Sequence, residues 1–337
     1  MDVISDLLGA VKLKGAFYFN GEFSAPWAVR TPESRSLAPH FGQGGRLVIF
    51  HLLTQGEGVA GLENGPWLPL KPGDVVVFPR GDAHVVGNGQ PLEPVDYGSE
   101  LARIVAQGLR VARAGGMGET TKFVCGYLTL DAHLSRRLLD GLPPVFKVNV
   151  RGEGAGQWLE SAIRYSVDQA ADSPAGGDAV LARLAEALFI ETLRRYIASL
   201  PEAETGWLAG ARDELVSRAL MLLHQQPAEA WTLESLARRA GTSRSVLAER
   251  FRHYLGETPM AYLGRWRLQL AARQLQESRR SILAIAMDVG YESESAFNRA
   301  FRREFGVPPA RYRQSETRGR AARPAKRVGK PRQPTGT

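Results

Sequence analysis

The back half of the chain repeats itself. Leu236-Ala237-Arg238-Arg239-Ala240-Gly241 returns as Ile285-Ala286-Met287-Asp288-Val289-Gly290, 49 residues later. Leu247, Phe251, Gly256, Pro259 and Tyr262 return as Phe297, Phe301, Gly306, Pro309 and Tyr312, now 50 residues later. One unit therefore occurs twice, with one extra residue in the turn of the second copy. Each unit has a short helical stretch with a small residue (Ala237, Ala286), a glycine, a few polar residues and an amphipathic helix. That is a helix-turn-helix pattern. The glycine permits the turn's unusual backbone angles, the alanine lets two helices cross closely, and Ser243 and Ser293 are placed to cap the second helices. A lone helical hairpin is a weak signal. Two in tandem, bridged by the helical stretch 259–277, are a strong one.

Charge points the same way. The chain has 337 residues and a formal net charge of +8. Residues 311–337 hold nine basic residues and one acidic, 212–310 hold fifteen and eleven, and 1–211 hold nineteen and twenty-three. An acidic front, a basic back and a strongly basic tail suggest nucleic-acid contact at the back. The tail from Gln314 has few bulky apolar residues and is expected to be disordered. The single Cys125 permits no intramolecular disulfide, which fits a cytoplasmic location. No secretory signal is legible at the start, and the apolar runs 47–53, 75–79 and 179–190 are too short or too charged to cross a membrane.

In these repeats, the residues Arg267-Leu268-Gln269-Leu270-Ala271, Ile285-Ala286, Gly290-Tyr291, Ser293, Ser295, Phe297, Arg299, Phe301-Arg302, Phe305-Gly306 and Pro308–Tyr312 resemble the signature of AraC/XylS-type transcription regulators. The first copy resembles it too, in 233–240, Ser243, Leu247, Arg250-Phe251, Gly256 and Pro259. The resemblance covers residues 212–313. It implies a DNA-binding domain of two helix-turn-helix units, their recognition helices entering successive major grooves of double-stranded promoter DNA.

The recognition helices are expected at 243–254 and 293–305. Leu247 and Phe251 face the core of the first, and Phe297, Phe301 and Phe305 that of the second. Arg244, Ser245 and Ala248 then lie on the exposed side of the first, and Glu294, Ser295, Asn298 and Arg302 on that of the second. Arg suits guanine and Asn suits adenine in bidentate base readout. Arg244, Asn298 and Arg302 are the candidate readers, with Ser245 and Glu294 in support. Arg252, Arg303, Arg265, Ser243 and Ser293 are candidate phosphate contacts. Arg250 and Arg299 are read as structural or backbone contacts. Glu249 is out of place on a DNA-facing helix unless it accepts from cytosine.

The first ~95 residues alternate short apolar runs with Gly, Pro, Asn and Asp turns, a pattern of short strands. Gly73-x5-Pro79-x-Gly81-x2-His84-x3-Asn88 resembles the second cupin motif at every specified position. Gly45-x5-His51 begins like the first, but Leu53 stands where a second histidine belongs, and Glu57 is at the ligand spacing. The resemblance implies a cupin-like β-barrel with His51, Glu57 and His84 as an effector pocket. The same three could be ligands of a divalent metal, since three with an open position can suffice. The alternative is that these histidines only satisfy hydrogen bonds in an apolar interior. No cofactor is certain. His40 is a further candidate ligand.

The expected architecture is therefore multidomain α+β. Residues 1–150 form a cupin-like sensing barrel, 151–206 a helical dimerisation segment and linker, 207–314 an all-α tandem helix-turn-helix domain, and 315–337 a basic tail. In the helix around 178–199, Val180, Leu181, Leu184, Leu188, Ile190, Leu193 and Ile197 recur at helical spacing, available to a homodimer or to its own barrel. The function implied is an effector-responsive, dimeric regulator able to contact RNA polymerase. The competing reading is a metal-dependent cupin enzyme fused to DNA-binding helices, which Leu53 disfavours.

Overall fold

The structure, a computed structural model, describes residues 14–34, 36, 46–89, 93–96, 111–130, 136–152, 154–169, 177–201 and 203–314. His40, the tail 315–337 and most of the turn 172–177 lie outside the described residues.

Strands β1 (Lys14–Ser24), β3 (Arg46–Gln55), β6 (Asp74–Phe78), β9 (Val111–Gly115), β10 (Thr120–Leu130) and β11 (Phe146–Asn149) form one sheet. Their order is β11-β6-β3-β10-β1-β9. Strands β2 (Ala28–Thr31), β4 (Gly58–Leu62), β5 (Leu68–Leu70), β7 (His84–Gly87) and β8 (Val95–Asp96) form a second, ordered β5-β4-β7-β2-β8. Pairing is antiparallel except at β1–β9 and β2–β8. The expected barrel is thus an open sandwich among the described residues: the edge strands β9 and β11 of the large sheet do not pair with the small one.

The large sheet is covered on both faces. Side chains alternate along a strand, and β3 shows it. Ile49 and Leu53 point between the sheets, where they meet Trp27, Ala60, Phe78, Val86 and Phe123. Val48, Phe50 and Leu52 point the other way, into a core shared with Leu138, Ile163, Leu181, Leu188 and Leu193. That core is built by helices α1 (Arg136–Asp140), α2 (Ala155–Gln169) and α3 (Gly177–Ser199). Two buried faces explain why 47–53 is apolar almost throughout. Charged groups fasten the helices: Arg151 pairs with buried Glu160 of α2 and donates to the Thr54 carbonyl of β3. Arg195 of α3 donates to the Asn149 carbonyl of β11.

The rest of the described chain is helical: α4 (Trp207–Arg212), α5 (Glu214–Gln225), α6 (Leu233–Ala240), α7 (Arg244–Leu255), α8 (Pro259–Glu277), α9 (Ile282–Asp288) and α10 (Glu294–Phe305). The first unit is α5–α7 and the second is α8–α10. The bridging helix α8 serves both. Tyr262, Leu263 and Trp266 belong to the core that runs from the sheet through α3 into the first unit. Leu268, Ala271, Ala272 and Leu275 belong to the separate core of the second, with Ile285, Phe297 and Phe301.

Midway along α8, Arg267 holds the two units together. Its guanidinium donates to the carbonyls of Pro227 (2.6 Å) and Glu229 (2.7 Å) in the first unit and of Gly290 (3.0 Å) in the turn of the second. Gly290 has φ +89°, and a Cβ there would stand 2.8 Å from that guanidinium. The turn glycine is thus required twice, by backbone angle and by the close approach of Arg267. A charged donor bound to three carbonyls is costly to remove. Arg267→Ala is expected to destabilise the helical half by about 2–3 kcal/mol, read from urea unfolding. Arg267→Lys should recover only part, because one ammonium cannot span all three carbonyls.

Candidate nucleic-acid interface and the buried histidine pair

The two recognition helices are built alike. Both are twelve residues long. Ser243 accepts from the Val246 N–H and Ser293 from the Ala296 N–H, each at 3.3 Å, so both serines cap as expected. Both helices end in a left-handed glycine, Gly256 and Gly306. Leu247 and Phe251 are buried in α7, as are Phe297 and Phe301 in α10. Phe305 is half-buried, its ring tilted against those of Phe301 and Tyr312.

Outside these core positions lie the residues expected to meet DNA. Ser243, Arg244, Ser245 and Arg252 are exposed and Ala248 is half-exposed. Ser293, Glu294, Ser295, Arg299, Arg302 and Arg303 are exposed, with Asn298 half-exposed. Ser245, Ala248, Glu249 and Arg252 line an open depression of about 780 Å³ along α7. Two arginines have other work. Arg265 pairs with Glu257. Arg250 pairs with Asp213, whose carboxylate also caps α5 by accepting from Val216 N–H.

Asp213 ends a short strap that joins the β half to the first unit. The Gly206 N–H donates to the Tyr254 carbonyl of α7 at 2.7 Å. Arg212 donates to the carbonyls of Ile197 and Leu200 at the end of α3, as a cation at a helix C-terminus should. Trp207 Nε1 donates to Tyr262 Oη, and that hydroxyl is hydrogen-bonded to His224 Nε2. The repeat pattern carries no sign of Arg267, Asp213 or Trp207 in these roles, because each contact spans elements distant in sequence.

In the β half, His51 and His84 come together from opposite sheets, His51 5% and His84 0% exposed. Their Nε2 atoms are 2.9 Å apart. His51 Nδ1 lies 2.9 Å from Cys125 Sγ, and His84 Nδ1 lies 2.8 Å from the Asp82 carbonyl. One proton arrangement satisfies every bond. His84 donates to Asp82, His51 donates to His84, and the Cys125 thiol donates to His51. Burial drives the His51 pKa well below the ordinary histidine value, with the facing His84 adding to it. Burial holds His84 down to about 4, against the opposing effect of its bond to Asp82. Burial also pushes the Cys125 thiol up.

Glu57 does not join them. Its side chain is exposed in the loop after β3, and its carbonyl accepts from Thr121 Oγ1 at 3.1 Å. Strand β3 ends at Gln55, so the alternation that turns His51 inward no longer governs Glu57. In this arrangement the two Nε2 atoms are taken up by the bond between the imidazoles. Among the described residues, no group of three or more His, Cys, Asp or Glu is placed to hold a metal ion. The other cupin-motif residues shape turns: Gly73 has φ +91°, Gly81 has φ +62°, and Asn88 exchanges hydrogen bonds with the Trp27 backbone.

A family described as cupin matches residues 2–198, and one described as a helix-turn-helix domain matches 236–315. An AraC-like transcription regulator of Streptomyces lividans is 34% identical over 94% of this chain and 99% of its own. The chain belongs to the AraC-like transcription regulators. The RCS-specific transcriptional activator RclR of Escherichia coli K12 is 32% identical over 93% of this chain and 98% of its own. The solved DNA-binding domain of AdpA in complex with a target DNA is 32% identical, covers 33% of this chain and 98% of that one, and has a TM-score of 0.31. This AraC-like protein is a DNA-binding transcription regulator, and its relatives are named as transcription regulators. Among its described residues no helix is long and apolar enough to cross a membrane.

The neutral histidine pair gives the regulator a pH signature. Unfolded, both histidines take up protons near pH 6.5; folded, His84 does so only near 4 and His51 well below its usual value. The unfolded chain binds more protons between these limits, so stability falls as pH drops from about 6.5 toward 4. Thermal melting should therefore fall over that window, and His84→Gln, which keeps a polar side chain but cannot titrate, should flatten the fall. A slope identical to that of the unmodified protein would contradict this.

Proposed function

We propose that this AraC-like regulator binds promoter DNA by placing α7 and α10 in successive major grooves, acts as a homodimer, and responds to a small-molecule effector. The observation that carries the DNA part is the matched pair of capped recognition helices, their units joined by the hydrogen bonds of Arg267. Arg244, Asn298 and Arg302 read base edges, assisted by Ser245 and Glu294, with Ala248 allowing close approach. Ser243, Ser293, Arg252, Arg299 and Arg303 meet phosphates and set register. The boundaries in this reading are 1–150 for the sensor, 151–206 for the helical segment, 207–314 for the DNA-binding half and 315–337 for a basic tail that adds non-specific affinity. The protein works in the cytoplasm, with RNA polymerase as a further partner.

The effector site is the space between the sheets around His51, His84 and Cys125. These are polar groups in an interior otherwise lined by Ile49, Leu53, Phe78 and Phe123. For dimerisation, the helical pair supports the outward faces of α2 and α3. Leu181, Leu188, Leu193 and Ile197 of α3 are spent on its own core. Trp158 and Tyr165 of α2 remain 65% and 68% exposed, and Val180 and Ile190 of α3 are exposed too. An exposed apolar set of this kind marks an interaction surface.

At the operator, Arg244→Ala and Asn298→Ala should each cost about 1–3 kcal/mol and relax one base position, while Arg252→Ala should weaken all sequences alike. Binding measured in solution checks this, and equal affinity for promoter and random DNA at moderate salt would sink the reading. Replacing Trp158 and Ile190 by Arg should halve the mass measured by sedimentation. A wild-type protein already monomeric at micromolar concentration would remove the dimer from the proposal.

A further inference from the structure

The internal repeat provides its own control. Aligned at an offset of 50, Leu247 matches Phe297, Phe251 matches Phe301 and Gly256 matches Gly306. The helices share length, cap geometry and the left-handed glycine stop. Equivalent positions are thus offered equivalently to whatever each helix faces. Ser245 matches Ser295 and Arg252 matches Arg302, so part of the exposed face is kept. At two positions the charge is reversed. Arg244, first residue of α7, matches Glu294, first residue of α10. Glu249, near the middle of α7, matches Arg299. All four are exposed, and none has a side-chain partner among the described residues.

A reversed charge at the same place reverses the hydrogen-bonding sense. A guanidinium only donates, and it fits the guanine O6 and N7 acceptors. A carboxylate only accepts, and it fits the cytosine N4 amino group. The first turn of a recognition helix is where base edges come within reach. We propose that Arg244 and Glu294 are specificity residues of opposite sense. The operator segment under α7 then carries guanine at the position that carries cytosine in the segment under α10, on the equivalent strand. The protein therefore binds in one orientation only. Glu249 and Arg299 repeat the reversal of charge deeper in the helices. This rests on the reading of α7 and α10 as base-contacting helices.

The test is selection of bound duplexes from a random-sequence pool by the full-length protein, first unmodified and then as the R244E/E294R double variant. The unmodified protein should enrich two segments about one helical turn apart, with guanine in one and cytosine in the other. Asn298→Ala identifies the second segment by relaxing a neighbouring base there. In the double variant the guanine and cytosine should exchange between segments, each now preferred by on the order of 10-fold over the original base. E294Q keeps the shape of the α10 start and should lose the cytosine preference in the second segment alone. Enrichment of the same bases by unmodified and double-variant proteins overturns the inference while leaving base reading by α7 and α10 intact. So does the same base at both positions in the unmodified protein's sites. Enrichment of no sequence by the unmodified protein overturns the base-reading proposal itself.

Discussion

Arg267 makes two helix-turn-helix units into one object. The second unit has an apolar core of its own, separate from the one the first shares with the sheet, and the two cores meet along α8. The guanidinium adds a polar tie, donating to two carbonyls of one unit and one of the other. Its planar fork suits three acceptors in fixed directions. The turn glycine Gly290 is what allows it in, since a Cβ would occupy the guanidinium's place. The placement of α7 and α10, on which any simultaneous reading of two grooves depends, rests on α8 packed into both cores and on this tie across it.

The β half is attached to this object by burial. The large sheet needs cover on its second face, and α2 and α3 supply it. Where α3 ends is set by that packing, and its terminal carbonyls are taken up by Arg212. The next residue, Asp213, caps α5 and pairs with Arg250 on the first recognition helix. Adjacent residues thus contact the end of α3 and the first recognition helix, while α10 is joined to that unit through α8 and Arg267.

Much of the helical half was legible before any coordinates. The repeat, the caps at Ser243 and Ser293 and the core positions Leu247, Phe251, Phe297 and Phe301 all follow from local spacing, and helices are local structures. The β half was legible only in part. The apolar strands around 47–53 and 75–79 stood out, while β1, β2, β4, β9 and β11 did not, because a strand is stabilised by partners remote in sequence. The cupin-type spacing placed His51, Glu57 and His84 together, yet only the histidines meet. Glu57 lies past the end of β3, and nothing in a spacing says which side of a loop a side chain takes. Cys125, the third member of the cluster, sits opposite His51 by β3–β10 register, which no motif records.

By itself the sequence determined the two copies, their caps and cores, and the residue types on each exposed helix face, since these depend on neighbours three or four positions away. Only the tertiary structure decided which polar groups share a site. It buried His51, His84 and Cys125 together and left Glu57 outside. It also spent Arg250 and Arg265 on intramolecular pairs, and made Arg267 the tie between the units. Those outcomes turn on sheet register, on two sheets facing and on carbonyls brought near from distant loops, and such long-range geometry is encoded by the whole chain rather than by any stretch of it.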